Sequence, residues 1–318
     1  MSDTSASDIS ALRPDIAPRP PIPEAAAPRG LRQRLLGPLK PVGGMLALLR
    51  ESTVAMIGAG IVAFWLVVAL FAPWLAPFDP NAQFVPFAPP GAPHPDGGTF
   101  LLGADHLGRD ILSRVIWGSR TVLFYAPVAT GCAFAVGIVM GLLAGYKRGW
   151  IDDVLSRLSD IILSFPILVL YVVIISTFGA SGINIVLAVT FASAPGIMRI
   201  VRGLVLDLRN RDYVAAAQTR GESTPWIMFV EILPNARGPL IVDACLRLGY
   251  TIITIGVLGF LGLGLPPPDP DWGGMVNQTR SMATFAPHMT IFPVIAISSL
   301  VLGFNLLADG IREISLKD

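Results

Sequence analysis

Side chains able to do acid–base or metal chemistry are few and scattered in this chain. The histidines His94, His106 and His288 have no spacing, such as HxxxH, that would let two of them share a metal ion. Asp105 and Asp110 lie close to His106 in the sequence, but no Ser or Cys stands in a nucleophile motif. We therefore expect these residues to shape a loop, and we predict no catalytic and no metal-binding residue.

Nucleotide binding is not indicated either. A phosphate-binding GxxxxGK[ST] loop requires a Lys followed by Ser or Thr, and the sequence contains no such pair. The chain is therefore not expected to hydrolyse nucleotide by that route, and no cofactor is predicted for it.

The composition assigns the chain to the lipid bilayer. Of its 318 residues, 53% are hydrophobic and 14% are charged, whereas about 25% of an average soluble domain is charged. The mean hydropathy is +0.64, and the 32 Gly and 28 Pro are residues that helices in lipid tolerate. These values exclude a disordered chain and an ordinary soluble enzyme. The net charge of +1 gives no reason to expect nucleic acid as a partner.

Runs without Asp, Glu, Lys or Arg locate the membrane spans. A helical span needs about 20 mostly apolar residues, and five runs reach this length: 52–78, 121–146, 161–198, 248–268 and 281–308. The third run, about 57 Å as a straight helix, is too long for one span. The turn signal at Gly179–Gly182 divides it into spans over 153–178 and 184–203. The sequence thus predicts an all-α membrane protein with six transmembrane helices.

Charges are predicted only at the ends of the spans. The fifth span is expected to begin near Leu240, which places Asp243 and Arg247 close to its start. The apolar centres then hold no ionisable side chain, whereas ion-coupled transporters usually keep one at mid-membrane. This pattern argues against a transporter that powers itself.

Small residues and prolines indicate how the spans pack. Gly137, Gly141 and Gly145 recur every four residues, so they share one helix face and should admit a close neighbouring helix. Prolines that interrupt spans are expected to bend them, because each frees backbone carbonyls. These prolines are Pro127, Pro166, Pro195 and Pro293.

The distribution of Lys and Arg sets the orientation. With the N-terminus inside, the inner segments hold 16 of these residues and the outer segments four, leaving three near span ends aside. Both termini are therefore predicted to be cytoplasmic. Residues 1–50 are expected to be a disordered, Pro-rich leader before a transmembrane domain over residues 51–318. Within the leader, Leu31–Arg50 would form either a cationic helix on the inner membrane face or a basic linker.

The inner loop over residues 204–238 is too long for a simple helix connection, which usually has about 2–8 residues. Asp212 is expected to cap a helix that contains Ala215–Ala217 and ends at Gly221. A second short helix is expected to follow and to end at Pro234. Such a loop would present a small alanine surface that fits a groove on another protein. A loop folded against its own bundle agrees equally well with the composition.

The same loop resembles a motif of a known family. AAAQTRG, followed by EILPN, is similar to the cytoplasmic EAA loop of ABC importer permeases, which has E-A-A, three residues, Gly, and I-L-P about ten residues on. The matching residues are Ala216, Ala217, Gly221, Ile232, Leu233 and Pro234. Ala215 stands where the family has Glu, so the carboxylate is missing while the helix is unaffected.

Three further blocks resemble the dipeptide/oligopeptide permeases of that family. LLGADHLGRDILSRVIWGSR at 101–120 is similar to LGTDxLGRDxLSRxxxGxR, and FLGLGLPPPDPDWGGM at 260–275 is similar to FLGLGxxPPxPxWGxM. FNLLADGIRE at 304–313 is similar to FNLLGDGLRD. The likeness covers about residues 45–315 and is strongest to the C-type (DppC/OppC-like) subunits, which have a long first periplasmic loop, here residues 77–118.

The resemblance implies a type I ABC importer permease fold in the bacterial inner membrane and a set of partners. Such a subunit pairs with a homologous second permease (DppB/OppB-like), and two cytoplasmic ATPase subunits, which bind ATP and Mg, dock on the coupling helices. A periplasmic or lipid-anchored solute-binding protein delivers peptide from outside.

The resemblance also implies two groups of site residues. The implied ATPase-coupling residues are Asp212, Ala215, Ala216, Ala217, Gly221, Ile232, Leu233 and Pro234. The implied contacts with the binding protein are Gly103, Asp105, Leu107, Gly108, Arg109 and Asp110. The adjacent charges of Arg109 and Asp110 further predict an exposed local ion pair.

The predicted function is therefore the non-catalytic transmembrane subunit of an ATP-driven peptide importer. An importer of the same architecture could instead carry nickel chelates, glutathione or sugars, because the binding protein largely decides the substrate. A membrane enzyme or channel without an ATPase is the other alternative, and failure to associate with an ATPase would favour it.

Overall fold

A computed structural model describes residues 52–315, and the predicted leader over residues 1–50 lies outside this range. The described part is almost entirely helical. Its elements are α1 (Thr53–Leu70), α2 (Ala72–Leu75), β1 (Ala92–Pro93), β2 (Thr99–Phe100), α3 (Ile111–Lys147), α4 (Trp150–Leu163), α5 (Ile167–Phe178), α6 (Gly182–Leu208), α7 (Asp212–Thr219), α8 (Thr224–Trp226), α9 (Leu233–Asn235), α10 (Arg237–Phe260), α11 (Trp272–Thr279) and α12 (His288–Ser315). A π-helical turn over Ile227–Ile232 joins α8 to α9.

Five of the described helices are long and apolar enough to cross a membrane, namely α1, α3, α6, α10 and α12. Helices α4 and α5 together would make a sixth span, but the chain bends by 87° between them. The membrane class is therefore as predicted, with six spans if the bent pair counts as one. The single helix predicted over residues 153–178 is wrong. Pro166 takes an extended ψ of 122° and starts a new helix there.

Helix α3 begins earlier than the charge-free run suggested. Asp110 caps it by accepting a hydrogen bond from Ser113 N at 2.7 Å. Residues 111–118 therefore belong to α3, and the extent of the periplasmic loop stays a prediction. With 37 residues, α3 is about 56 Å long. Part of α3 must lie outside a hydrocarbon core about 30 Å thick.

Helix α3 packs closely on α6 through glycines, which have no side chain to keep the helices apart. The glycine face of Gly137, Gly141 and Gly145 lies against Ile197, Val201 and Val205, in that order. A Cβ added at Gly141 would stand 2.5 Å from Val201 Cβ, a separation that real side chains essentially never show. The predicted close neighbour of this face is confirmed, and it is α6.

Helix α4 is held to α6 by ion pairs. Arg202 Nε and Nη2 donate to the two carboxylate oxygens of Asp152 at 2.5 and 2.7 Å. Arg199 pairs with Asp160, about two turns further along α4. These pairs fix the direction of α4 before the bend.

Two main clusters of buried apolar side chains hold the described bundle together. One cluster contains Trp65 and Trp272, whose rings meet edge to face with centroids 4.9 Å apart. The other contains Leu142 of α3, Val201 of α6 and Val214 of α7. The second cluster therefore joins the inner loop to the bundle.

Replacing Gly141 with Leu should destabilise this fold, because the new side chain would overlap Val201 and push α3 away from α6. Overpacking typically costs about 1–3 kcal/mol, so we expect Gly141→Leu to unfold at a lower temperature in detergent. Gly131→Leu on the same helix is the control, since a Cβ there has no neighbour within 4 Å. Equal unfolding temperatures for the two variants would contradict the packing.

Candidate functional site

Helix α7 has one buried face and one exposed face. Val214 and Ala217 are fully buried in the second cluster of apolar side chains. Asp212, Ala215 and Ala216 are exposed. Residues three apart share a helix face, so the side with Val214 and Ala217 faces the chain's own bundle. The expectation that Ala217 meets an ATPase groove is wrong, while Ala215 and Ala216 remain available. The interpretation of a loop folded against its own bundle is thus confirmed for this face, and docking of the exposed face on another protein stays a prediction.

The turn after α7 has the geometry expected for a helix C-terminus. Gly221 has a φ of +75°, a conformation that strains residues with a Cβ. Gly221 N donates to Gln218 O at 2.9 Å and Glu222 N to Ala217 O at 3.2 Å, which is the hydrogen-bond pair of a Schellman motif. At the other end, Asp212 does not cap α7, contrary to the prediction. It is the first helical residue, and no side chain caps the helix.

The helical segment after this turn does not end at Pro234. This proline lies in the first turn of α9, where no backbone N–H is needed, so the helical path runs on to α10. Ile232 is buried, and Leu233 and Pro234 are half-buried. Arg220 Nη2 donates to Glu231 Oε1 at 3.1 Å and ties the end of α7 to this segment. These residues anchor the loop to the bundle.

Arg209 joins the inner loop to the end of α3. Its Nη1 donates to Gly145 O at 3.3 Å and to Tyr146 O at 3.0 Å, where the last carbonyls of a helix carry partial negative charge. Gln218 Nε2 donates to the Tyr146 hydroxyl at 3.2 Å. Helix α7 is therefore connected to α3 by hydrogen bonds as well as by packing.

The outer block is folded inward, and little of it is available to a partner. Of the six residues predicted to contact a binding protein, Gly103, Asp105, Gly108, Arg109 and Asp110 are buried, and Leu107 is 39% exposed. Gly103 and Gly108 have φ of +85° and +81°, so both hold turns that favour glycine. Five of these six residues therefore shape the loop.

Arg109 pairs with Asp105 and not with Asp110. Arg109 Nε lies 2.7 Å from Asp105 Oδ2, with both side chains at most 6% exposed, and Arg109 Nη2 donates to Gln278 Oε1 at 2.8 Å. The predicted exposed pair is wrong, because a turn in which Gly108 N donates to Asp105 O brings residue 105 beside residue 109. Asp110 caps α3, and its burial raises the pKa of that carboxyl.

Hydrogen bonds join the outer block, residues 101–120, to the block over residues 260–275. Arg114 is fully buried, and its Nη1 donates to Pro80 O at 3.0 Å and to Pro268 O at 3.5 Å. Trp272 is also fully buried, and its Nε1 donates to Val115 O at 2.9 Å. Two of the motifs that carried the resemblance thus form a single structural unit.

Asp271 caps α11 from a buried position. Its carboxylate accepts hydrogen bonds from Gly274 N at 3.0 Å and Gly273 N at 3.3 Å. Burial raises the pKa of Asp271 from 3.8 to about 6, although the two backbone hydrogen bonds and the charge of Arg114 act in the opposite direction.

The histidines belong to the loop structure. The ring of His94 stacks on that of Phe78 with centroids 3.6 Å apart, and His94 is buried. Within residues 52–315, no group of three His, Cys, Asp or Glu side chains is arranged to hold a metal ion.

Asp243 and Arg247, which were expected close to the start of the fifth span, lie well inside α10. Since α10 begins at Arg237, Arg247 lies about 15 Å from its start and about 20 Å from its end. Arg247 Nε donates to Asp243 Oδ2 at 2.7 Å. The expectation that span centres hold no ionisable side chain is therefore wrong. The sequence signal for such a pair is an Asp and an Arg four residues apart, because residues at this spacing share a helix face and can neutralise each other.

The family follows from comparison with known proteins. The model of the family described as "Binding-protein-dependent transport system inner membrane component" matches residues 137–317, more than half of the chain. The chain belongs to this family. The model of the N-terminal transmembrane domain of oligopeptide transport permease C matches residues 43–90. Membership in a family of multi-pass transport permeases agrees with the apolar helices, and the resemblance seen in the motifs is confirmed.

Several relatives of the family align over most of their length. The chain is 41% identical over 258 residues to the di/tripeptide transport system permease protein DppC of Pseudomonas aeruginosa, covering 80% of this chain and 85% of the relative. It is 37% identical over 268 residues to the dipeptide transport system permease protein DppC of Haemophilus influenzae, covering 83% and 90%. It is 38% identical over 258 residues to the glutathione transport system permease protein GsiD of Pectobacterium atrosepticum, covering 81% and 85%.

Removing the carboxylate of Asp105 should destabilise the protein strongly, because Arg109 would stay buried without its charge partner. Breaking a buried pair typically costs about 3–5 kcal/mol. Asp207→Ala is the control, since Asp207 and Arg211 form a pair whose side chains are 68% and 59% exposed, and such pairs contribute about 0–1 kcal/mol. Unfolding in detergent, followed by tryptophan fluorescence, measures both losses. Similar losses for Asp105→Ala and Asp207→Ala would contradict the burial of the outer pair.

The raised pKa of Asp271 predicts a dependence of stability on pH. The folded protein holds this proton more tightly than the unfolded chain does, so the free energy of unfolding should fall as the pH rises from 3.8 to about 6. Asp271→Asn keeps a capping side chain and removes the titration. We expect the variant to lose less stability than the wild type between pH 4 and pH 7. Parallel pH profiles of unfolding temperature would contradict the assignment.

Proposed function

We propose that this chain is the non-catalytic transmembrane subunit of an ATP-driven ABC importer that admits di- and oligopeptides brought by a binding protein. Family membership supports the role of permease, and the names of the DppC relatives support peptide as the cargo. The observation that carries the coupling role is the exposed face of Ala215 and Ala216 on α7, whose opposite face is anchored in the bundle.

In this proposal the exposed face of α7 docks in a groove of an ATPase subunit. A homologous second permease would present its own coupling helix to the other ATPase, and ATP and Mg would bind on those subunits. ATP binding would draw the ATPases together and the two coupling helices with them. Because Gln218 of α7 donates to Tyr146 of α3 and Ala217 packs in a cluster with side chains of α3 and α6, this motion would reach the bundle and open it outward. Hydrolysis would reset it.

The proposal places the inner loop and both termini in the cytoplasm of a bacterium, with the bundle in its inner membrane. Residues 99–110 and 269–287 would then face the periplasm. The excess of Lys and Arg in the inner segments supports this orientation. Leu107 is the candidate contact with the periplasmic or lipid-anchored binding protein, because it is the exposed residue among the six predicted contacts.

Glutathione is the second candidate cargo. It is itself a small peptide, and the GsiD relative named for its transport is 38% identical to this chain. Uptake of labelled glutathione and of a labelled dipeptide by cells that carry the complete transporter would separate the two cargoes.

We expect Ala216→Arg to prevent binding of the ATPase subunits while the permease stays folded. Ala216 is exposed, and Arg favours a helix nearly as well as Ala does. Pull-down of the ATPases and uptake of dipeptide should both fall at least about tenfold, which corresponds to about 1.4 kcal/mol of lost contact, at normal abundance in the membrane.

Two matched variants control this experiment. Ala217→Arg should instead reduce the amount of folded permease, since residue 217 is buried. Ala180→Arg, on an exposed turn at the opposite end of α6, should behave as the wild type. If Ala216→Arg still bound the ATPases and imported dipeptide normally, the coupling role of α7 would be wrong.

A further inference from the structure

A cavity lies between α3, α5, α6 and α10. Its volume is about 380 Å³. Apolar side chains line much of it, and its polar side chains are Thr130, Tyr171, Ser193, Arg247, Tyr250, Thr251 and Thr254. Thr130 and Thr251 bind each other through their hydroxyls at 3.0 Å. The cavity therefore brings one cation and several hydroxyl groups together halfway along the helices.

In the described part of the chain, protein atoms accept hydrogen bonds from only one nitrogen of the Arg247 guanidinium. Its Nε donates to Asp243 at 2.7 Å, and the two side chains are 23% and 18% exposed. Among residues 52–315, no side chain or carbonyl accepts a hydrogen bond from Nη1 or Nη2. A Cβ on Gly196 of α6 would stand 3.4 Å from Nη2, so the group extends across the cavity toward that helix. The N–H groups of Nη1 and Nη2 are therefore left to donate to a ligand.

The shape and charge of the Arg247 guanidinium favour an anion that presents two oxygens. The planar guanidinium matches a carboxylate through paired N–H donors. A charged side chain at mid-membrane is costly and usually marks the path of a substrate or an ion. Asp243 lowers that cost by neutralising Arg247. A terminal carboxylate is the one such group that every peptide carries whatever its sequence.

We propose that Arg247 binds the C-terminal carboxylate of the transported peptide within this cavity during translocation. The inference rests on the proposed function as a peptide importer. It assigns the permease a contact of its own with the substrate, which is independent of side-chain identity and so suits a cargo of mixed sequence. Arg247 would hold the peptide between its release from the binding protein and its exit to the cytoplasm.

Protection from labelling tests the contact directly in the assembled transporter. Thr254→Cys, in a background with Cys132→Ser and Cys245→Ser, places a thiol in the cavity for reaction with a maleimide. We expect millimolar dipeptide to slow this reaction several-fold and the same dipeptide with an amidated C-terminus to leave it unchanged. Adding Arg247→Gln should abolish the protection. No protection, equal protection by both peptides, or protection that survives Arg247→Gln would each overturn the proposal.

Uptake measurements separate ligand binding from a structural role of the ion pair. Arg247→Gln should lower dipeptide uptake about tenfold or more, the scale of a lost hydrogen bond to a charged group, with normal pull-down of the ATPases. The double variant Asp243→Asn/Arg247→Gln leaves no unpaired charge and should stay equally impaired. Restored uptake in the double variant would show that Arg247 only neutralises Asp243.

The same experiment distinguishes this inference from the function on which it rests. If the wild-type transporter imports no dipeptide at all, the proposed function fails. If the wild type imports dipeptide and Arg247→Gln imports it equally well, the proposed function stands and only the carboxylate contact is wrong.

Discussion

The contact of α3 with α6 depends on a glycine face of α3 that lets α6 approach closely, and most of the described structure depends on that contact. In lipid, an apolar side chain gains little by moving from lipid to protein, so close packing must supply the attraction between helices. The glycine face of α3 provides it against Val201 and its neighbours. At one end, α3 presents Arg114 and Val115 to the block over residues 260–275, and at the other it accepts the hydrogen bonds of Arg209. A shift of α3 along α6 would therefore displace both ends.

The buried charges show how the chain tolerates cations away from water. Arg109 has a carboxylate and an amide oxygen as partners, and Arg114 has the loop carbonyls of Pro80 and Pro268 together with the Asp105 carboxylate 3.9 Å away. In both cases the loop closes around the guanidinium, so its charge is compensated within the protein. Arg247 differs, because its carboxylate partner takes only Nε and leaves the outer nitrogens facing a cavity.

The sequence was sufficient for features that depend on composition and local spacing. The apolar runs gave the membrane class, the four-residue glycine spacing gave the α3 interface, and Gly221 gave the turn after α7. Boundaries failed where one residue overrides the apolar pattern, as Asp110 does by capping α3 and Pro166 by starting α5. The burial of Ala217 could not be predicted, since three consecutive alanines have no apolar side to distinguish. The pairing of Arg109 with Asp105 required the path of the turn between them.

The bend between α4 and α5 has a consequence for the surrounding lipid. Helix α5 has 12 residues and is about 18 Å long, whereas the hydrocarbon core is about 30 Å thick. Helix α4 cannot extend it in a straight line, because the pair of Arg202 with Asp152 holds α4 in another direction. A hydrophobic mismatch of about 12 Å thus falls on one side of the bundle, where lipid must thin or another chain must cover the gap. Acyl-chain length thereby becomes one of the variables that set the free energy of assembly.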